Sequence, residues 1–463
     1  MPSPRISRAQ FLGLSALAGL SCSTVADNQS HVAPPPNFVV IFTDDQAYSA
    51  VGFNNPLVKT PHLDALANSG VIFDRTYIAS PICVASRASI MTGRFPQQHG
   101  TVALDASGFQ RSVVEEKRFK TFAHHLSAAG YTTAFCGKSH LGDPKAYGFA
   151  EGMEHNDPSD AKSIAFARNF LDTRAADAPP FFLWTALRQP HIPLKPEQEW
   201  LDLYDRSTLK VDPNFGEEPP AESIYNQGKP GEHYYRDSKV VNPYKNVTSG
   251  PPRSKDEIID FLHAYYATIS RLDAQVGELI GTLKATGHYE NTYIIFMADN
   301  GYHVGNHGLG NKITMHEEAV HVPHFIHSPL LARAARTKSL ASSTDILPTV
   351  LDLAGCAPQP DLPGKSLVPV LKKPNATVRE FVASECVGVG GTTGMGHRMV
   401  RGDRWKYVLT DINEEALFDE DADPYELTNV VSLPENAAQL ATMRGHMRTW
   451  MAAVGDTHTP PPA

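Results

Sequence analysis

Four stretches of the chain are apolar at nearly every position rather than at every second one. They are Asn37-Phe38-Val39-Val40-Ile41-Phe42-Thr43, Tyr131-Thr132-Thr133-Ala134-Phe135-Cys136, Pro180-Phe181-Phe182-Leu183-Trp184-Thr185 and Asn291-Thr292-Tyr293-Ile294-Ile295-Phe296-Met297-Ala298. Continuous β-branched and aromatic runs of this length predict strands buried on both faces. Between them, residues 60–69, 119–129 and 255–285 are amphipathic with helical spacing. Alternating strands and helices predict an α/β fold, a large mixed and mostly parallel sheet sandwiched by helices. Each run is followed by a polar cluster: Asp44-Asp45, Gly137-Lys138-Ser139-His140, Gln189-Pro190-His191 and Asp299-Asn300-Gly301. Ligands of parallel sheets gather at the carboxyl ends of the strands, so these clusters are expected to meet in one site.

After about residue 370 the texture changes. Residues 381–385, 398–400 and 405–409 predict short antiparallel strands and 436–453 a last helix, a smaller C-terminal α+β subdomain. The expected boundaries are 1–36 for an export signal and linker, 37–370 for a catalytic domain and 371–463 for the subdomain. Residues 205–255, rich in Pro, Gly, Asn and charge without periodicity, predict a long surface insertion lining the cleft.

The first residues read as a targeting segment. Arg5 and Arg8 precede a short apolar stretch from Phe11 to Cys22, and a polar, proline-rich linker follows. That is the layout of an export signal. Ser7-Arg8-Ala9-Gln10-Phe11-Leu12 resembles a twin-arginine signal with one arginine lost. The expected location is periplasmic or extracellular, with Cys22 as an alternative lipid anchor behind a poor lipobox, Gly19-Leu20-Ser21. Elsewhere no apolar run reaches the ~18 residues of a membrane span.

Composition narrows the function. The 463 residues carry a net charge of −9 without a basic stripe, which argues against nucleic acid. An anionic substrate would need a local cluster of cations or a metal. Of five cysteines, none has CxxC spacing, which excludes a disulfide miniprotein and a zinc ribbon.

Candidate chemistry lies at the strand ends and in one turn. Pro81-Ile82-Cys83-Val84-Ala85-Ser86-Arg87 runs into a predicted helix, and spacing of four sets Arg87 beside Cys83. A cation there lowers a thiol pKa or holds an anion. Asp44, Asp45, Asp299 and Asn300 offer carboxylate and amide oxygens, donors suited to calcium or magnesium. Adjacent buried carboxylates repel one another unless a cation sits between them. Lys138, His140, His191 and Lys312 add positive charge and proton-transfer groups.

These segments, with Thr60-Pro61-His62-Leu63-Asp64-Ala65-Leu66-Ala67, Thr344-Asp345-Ile346-Leu347-Pro348-Thr349 and Asp423-Pro424-Tyr425-Glu426-Leu427-Thr428-Asn429, resemble the type I sulfatase family in kind and order. The resemblance implies an alkaline-phosphatase-like fold and hydrolysis of sulfate esters, on this chain those of a sulfated carbohydrate or small molecule. It implies that a maturation enzyme oxidises Cys83 to formylglycine. It also implies calcium on Asp44, Asp45, Asp299, Asn300 and residue 83, with Arg87, Lys138, His140, His191 and Lys312 as catalytic groups. His303, His307, His397 and Arg398 are expected to contact substrate. Position 85 is Ala where Pro is commoner, and 139 is Ser where Trp is usual. Two alternatives remain open: a phosphonate or phosphodiester hydrolase of the same superfamily, and an inactive carbohydrate-binding relative.

Overall fold

The computed structural model describes residues 34–102, 119–175, 177–217, 223, 240–242, 247–249, 254–387 and 396–461. The export segment, Cys22 and most of the 205–255 insertion lie outside the described residues. Residues Pro35–Ala463 cluster as one unit. The strands of the main sheet are β1 (Asn37–Thr43), β2 (Val71–Tyr77), β3 (Thr132–Gly137), β4 (Glu151–Glu154) and β5 (Phe181–Ala186). A small pair, β6 (Val240–Asn242) and β7 (Val247–Ser249), falls in the insertion expected to lack regular structure. The main sheet continues with β8 (Thr292–Ala298). A short hairpin, β9 (His303–Val304) and β10 (Gly310–Asn311), precedes β11 (His324–His327) and β12 (Ala335–Ser342).

The eight-stranded order is β12-β2-β11-β8-β1-β5-β3-β4. β11 runs antiparallel to both its neighbours, while the other pairings are parallel. The sheet is therefore mixed and mostly parallel, as the alternation of strands and helices predicts. β1 lies at its centre and pairs residue for residue with β8, from Asn37 opposite Thr292 to Thr43 opposite Ala298.

Both faces of β1 are covered, which is why its apolar run does not alternate. Phe38, Val40 and Phe42 join a core with Phe122, Leu126, Ile346 and Val350. Val39 and Ile41 face the other way, among Leu63, Ile164, Leu272 and Val276. Burying each such side chain contributes about 1.5–3 kcal/mol. The second face is built on the helix Lys255–Ala285, which starts at a capping box: Ser254 Oγ accepts from Glu257 N while Glu257 Oε2 accepts from Ser254 N. Its buried Asp273 accepts from the amides of His62 and Leu63 at the start of α1 (Pro61–Asn68), where Thr60 makes no side-chain cap bond.

The C-terminal strands are β13 (Val382–Cys386), β14 (His397–Arg401), β15 (Trp405–Thr410) and β16 (Glu415–Asp419), an antiparallel sheet in sequence order. The helix Ala437–Val454 packs on it through Met443, Met447, Trp450 and Met451. Among the described residues no helix is long and apolar enough to cross a membrane.

Candidate active site

The carboxyl ends of β1, β3, β5 and β8 meet the first turn of α2 (Cys83–Thr92). All ten residues of α2 are buried, and it ends at Gly93 in the left-handed conformation. Cys83 opens the helix, so Arg87 lies one turn along on the same side. The Arg87 guanidinium donates from Nε to Asp299 Oδ2 at 2.9 Å and lies 3.3 Å from Asp44 Oδ2. It also bonds the Lys138 carbonyl and packs over the Phe42 ring. Ser86 Oγ donates to the Asp299 carbonyl at 2.5 Å.

The backbone at each strand end is tightly constrained. Asp45 has φ +63, and its amide donates to Asp299 Oδ1 at 3.1 Å. Tyr265 Oη donates to the Asp45 carbonyl at 2.5 Å. Gly137, with φ +105, precedes Lys138, and a Cβ there would lie 1.9 Å from the Ala186 carbonyl oxygen. Only glycine lets β3 and β5 approach so closely before the chain turns inward.

Three cations face three carboxylates. Lys138 Nζ pairs with Asp44 Oδ2, and Lys312 Nζ pairs with Asp45 Oδ1. Lys312 Nζ also donates to Cys83 Sγ at 2.7 Å. Burial alone would raise the Asp44 carboxyl, but Lys138, His191, Arg87 and Lys312 outweigh it and hold it well below the usual range. Burial and the neighbouring Asp44 push Asp299 up to about 7. Burial pushes the Cys83 thiol up to about 12. Despite its burial, Lys312 is held well above the usual lysine value by Asp45, Cys83 and Asp44.

His140 and His191 flank a cavity of about 130 Å3, lined also by Asp45, Cys83, Tyr302, Asn311 and Lys312. His191 Nδ1 lies 2.6 Å from the Ile192 carbonyl, which can only accept. The Nδ1 proton is thereby fixed, and Nε2 is left facing Asp45 Oδ2 at 3.7 Å. Burial lowers the pKa of His191, and burial with Lys138 and Arg87 lowers that of His140 to about 3.

A divalent cation fits this set. Asp44 Oδ1 and Asn300 Oδ1 are buried with no hydrogen-bond partner. Asn300 Nδ2 donates to Asp45 Oδ1 and the Gly301 carbonyl, at 2.7 and 2.8 Å, so its oxygen is the atom left over. Ligand atoms of Asp44, Asp45, Cys83 and His191 lie within 4.8 Å of one another. Hard oxygen donors and orphaned lone pairs suit calcium or magnesium.

The four residues expected to contact substrate, His303, His307, His397 and Arg398, do not line this cavity. His303 Nε2 bonds Thr314 Oγ1 at 2.7 Å, and His307 meets Asn214 and stacks on His316. His307 and His316 line a second, larger cavity of about 350 Å3 against the C-terminal sheet. His397 is buried in β14, and Arg398 is paired with Asp411 at 3.0 Å and Asp456 at 2.7 Å. Neither lines the smaller cavity. Sequence reasoning missed Ser86, Tyr265, Tyr302 and Asn311. Ser86 lies within the Cys83 motif, and Tyr302 and Asn311 lie in the stretch that follows Asp299; Tyr265 alone of the four carries no local signal.

The sulfatase family profile matches residues 36–356. A second, the C-terminal part of N-sulphoglucosamine sulphohydrolase, matches residues 305–452. The chain belongs to the sulfatase family, whose members are sulfuric ester hydrolases. It is 27% identical to the N-acetylglucosamine-6-O-sulfatase of Bacteroides thetaiotaomicron, over 91% of this chain and 87% of that protein. A structure solved in complex with its substrate D-glucosamine-2-N,6-O-disulfate superposes with a TM-score of 0.77 at 22% identity, covering 91% of this chain and 99% of that one. The phosphonate monoester hydrolase of Agrobacterium radiobacter shares the fold, with a TM-score of 0.73, 20% identity, and coverage of 90% and 96%.

Proposed function

We propose that the protein is an exported sulfatase that removes sulfate from a sulfated carbohydrate. Cys83 works as formylglycine, beside a calcium or magnesium ion held by Asp44, Asp45, Asp299, Asn300 and residue 83. One observation carries the reading: in a sulfatase-family chain three buried cations pair with three carboxylates at the start of α2, and Lys312, Asp45 and Cys83 of this cluster line one small cavity. The carbohydrate is suggested by relatives and neighbours that act on or bind sulfated glucosamine.

In this reading the hydrated aldehyde at residue 83 supplies two hydroxyls on one carbon, one to attack sulfur and one to expel sulfate afterwards. A bound divalent cation supplies Lewis-acid polarisation of oxygen. Lys312, in contact with residue 83, and Lys138 hold the anionic oxygens of the ester as charge redistributes. Arg87, one turn along the helix from residue 83, braces Asp299. In its doubly protonated form, with Nε2–H facing Asp45, His191 delivers a proton to the leaving alcohol and returns to the neutral ring held through Nδ1. His140, neutral at physiological pH, takes a proton from the second hydroxyl.

The test is Cys83→Ala assayed on 4-nitrophenyl sulfate, with the mass of the peptide spanning residue 83 measured in the wild type. We expect an aldehyde at that position and loss of turnover by at least about 10³-fold. An alanine variant that hydrolyses the ester as the wild type does would refute the reading. An aryl phosphodiester assayed in parallel separates the phosphorus-ester alternative, and faster hydrolysis of it would favour that class. A panel of defined sulfated saccharides then identifies the sugar.

A further inference from the structure

Asp160 stands at the N-cap of the helix Ala161–Asp172, where an aspartate ordinarily accepts from the helix's own first amides. It makes no such bond. Its backbone is left-handed, with φ +58, a conformation strained for a residue with a side chain. The carboxylate, 1% exposed, is turned instead onto a different segment. Oδ1 accepts from the Arg188 amide at 2.7 Å, and Oδ2 accepts from the Gln189 amide at 2.9 Å and from Gln189 Nε2 at 3.0 Å.

Gln189 is in turn tied down on every side. Its Nε2 also donates to Gln275 Oε1 at 2.9 Å, and its Oε1 accepts from Arg271 Nε at 2.9 Å. Its main-chain carbonyl accepts from the Asp44 amide at 3.2 Å. Arg188 NH2 donates to the Ile192 carbonyl at 2.6 Å, the same carbonyl that fixes His191 Nδ1. A helix cap forgone, a strained backbone and three donors on one buried carboxylate all serve the two residues that lead into His191.

We propose that Asp160 is a positioning residue of the active site: through Arg188 and Gln189 it sets the turn that holds the His191 imidazole at Asp45 and the cavity. It touches no reacting atom. The inference rests on His191 as proton donor to the leaving alcohol. That role makes a demand a merely structural residue would not, because protonation matters for a basic leaving group and little for an acidic one.

The experiment compares kcat on phenyl sulfate and 4-nitrophenyl sulfate for wild type, Asp160→Asn, His191→Ala and the double variant, with unfolding midpoints measured alongside. Asparagine keeps the size but presents an amide to donors that now meet carboxylate oxygens. We expect Asp160→Asn to lower kcat on phenyl sulfate about 10²-fold, the cost of a misplaced group. On 4-nitrophenyl sulfate the expected fall is under about 5-fold, protonation mattering little to so acidic a leaving group. In the His191→Ala background Asp160→Asn should leave the ratio between the two esters unchanged. If His191→Ala is selective for phenyl sulfate while Asp160→Asn slows both esters alike, or neither, the Asp160 role is overturned and His191 stands. If His191→Ala slows both esters equally, the proton-donor assignment falls and the Asp160 role with it. Should Asp160→Asn not fold, Gln189→Met breaks the same link from the other side and is judged by the same ratio.

Discussion

Two lysines are buried among carboxylates in this molecule, and they do different work. Lys406, on β15, is wholly buried, with Nζ 3.1 Å from Glu317 Oε1 and 2.7 Å from Glu426 Oε1. Around it Glu317 Oε2 meets Tyr77 Oη at 3.1 Å and His321 Nδ1 at 3.0 Å, and Glu426 Oε2 accepts from the Glu317 amide at 2.8 Å. Lys312 faces a comparable set, pairing with Asp45 Oδ1, but it also donates to a thiol, Cys83 Sγ at 2.7 Å. The first cluster ties the C-terminal sheet to the residues after β10. The second sets Lys312 and the Cys83 sulfur together on the wall of the 130 Å3 cavity. Buried charge alone does not mark a candidate catalytic site; a nucleophilic group set beside it does.

The largest expected effect separates the two lysines directly. Lys312→Met should lower kcat/KM on 4-nitrophenyl sulfate by about 10²–10³-fold, the scale of removing one oxyanion-stabilising group. Lys406→Met should leave that rate nearly unchanged per folded molecule. It should instead cost about 3–5 kcal/mol of stability, the penalty for stranding buried carboxylates, read from denaturant unfolding. The contrast fails if both variants lose activity alike.

Metal removal gives the next test. Chelation should lower the unfolding midpoint of the wild type, and calcium at 100 times its Kd should restore about 2.7 kcal/mol. Lys406→Met should keep that response, whereas Asp44→Asn should lose it. A calcium response that survives in Asp44→Asn would place the ion elsewhere.

The smallest effect concerns a third way of burying a carboxyl. Glu385, 1% exposed, accepts from the Gln97 amide at 3.0 Å, and burial pushes its pKa up to about 8. The folded state therefore binds its proton more tightly than the unfolded chain, where glutamate titrates near ~4.3. The stability contributed by this group is full below that lower value and is lost as pH rises to about 8. Glu385→Gln should flatten that slope and raise the unfolding midpoint at pH ~9 relative to the wild type.

Much of the frame was legible from the chain alone. β1 and the helix Lys255–Ala285 match their expected bounds, because a doubly buried strand and a long capped helix both carry strong local signals. β2, β11 and β12 did not stand out. Asp74 and Arg75 interrupt β2, histidines begin and end β11, and β12 is mostly small and polar. Their strand character comes from sheet neighbours rather than from their own composition. The candidate site was visible at its strand ends, since charge after an apolar run is conspicuous. Asp160 was not: its bonds span 28 and 29 residues, and its own helix cap would have explained it locally.

The pairing of β1 with β8 has one more consequence. All of β1 is buried, as is all of β8 but Tyr293, so greasiness hardly distinguishes one alignment of the two strands from its neighbour one step away. The polar ends do distinguish them. The Asp299 amide bonds the Thr43 carbonyl at 2.9 Å, and the Asp45 amide bonds Asp299 Oδ1. Sliding by one position would strand these groups in a dry interior. The acids at the strand ends thus act as stops for two otherwise slippery ribbons while the chain assembles.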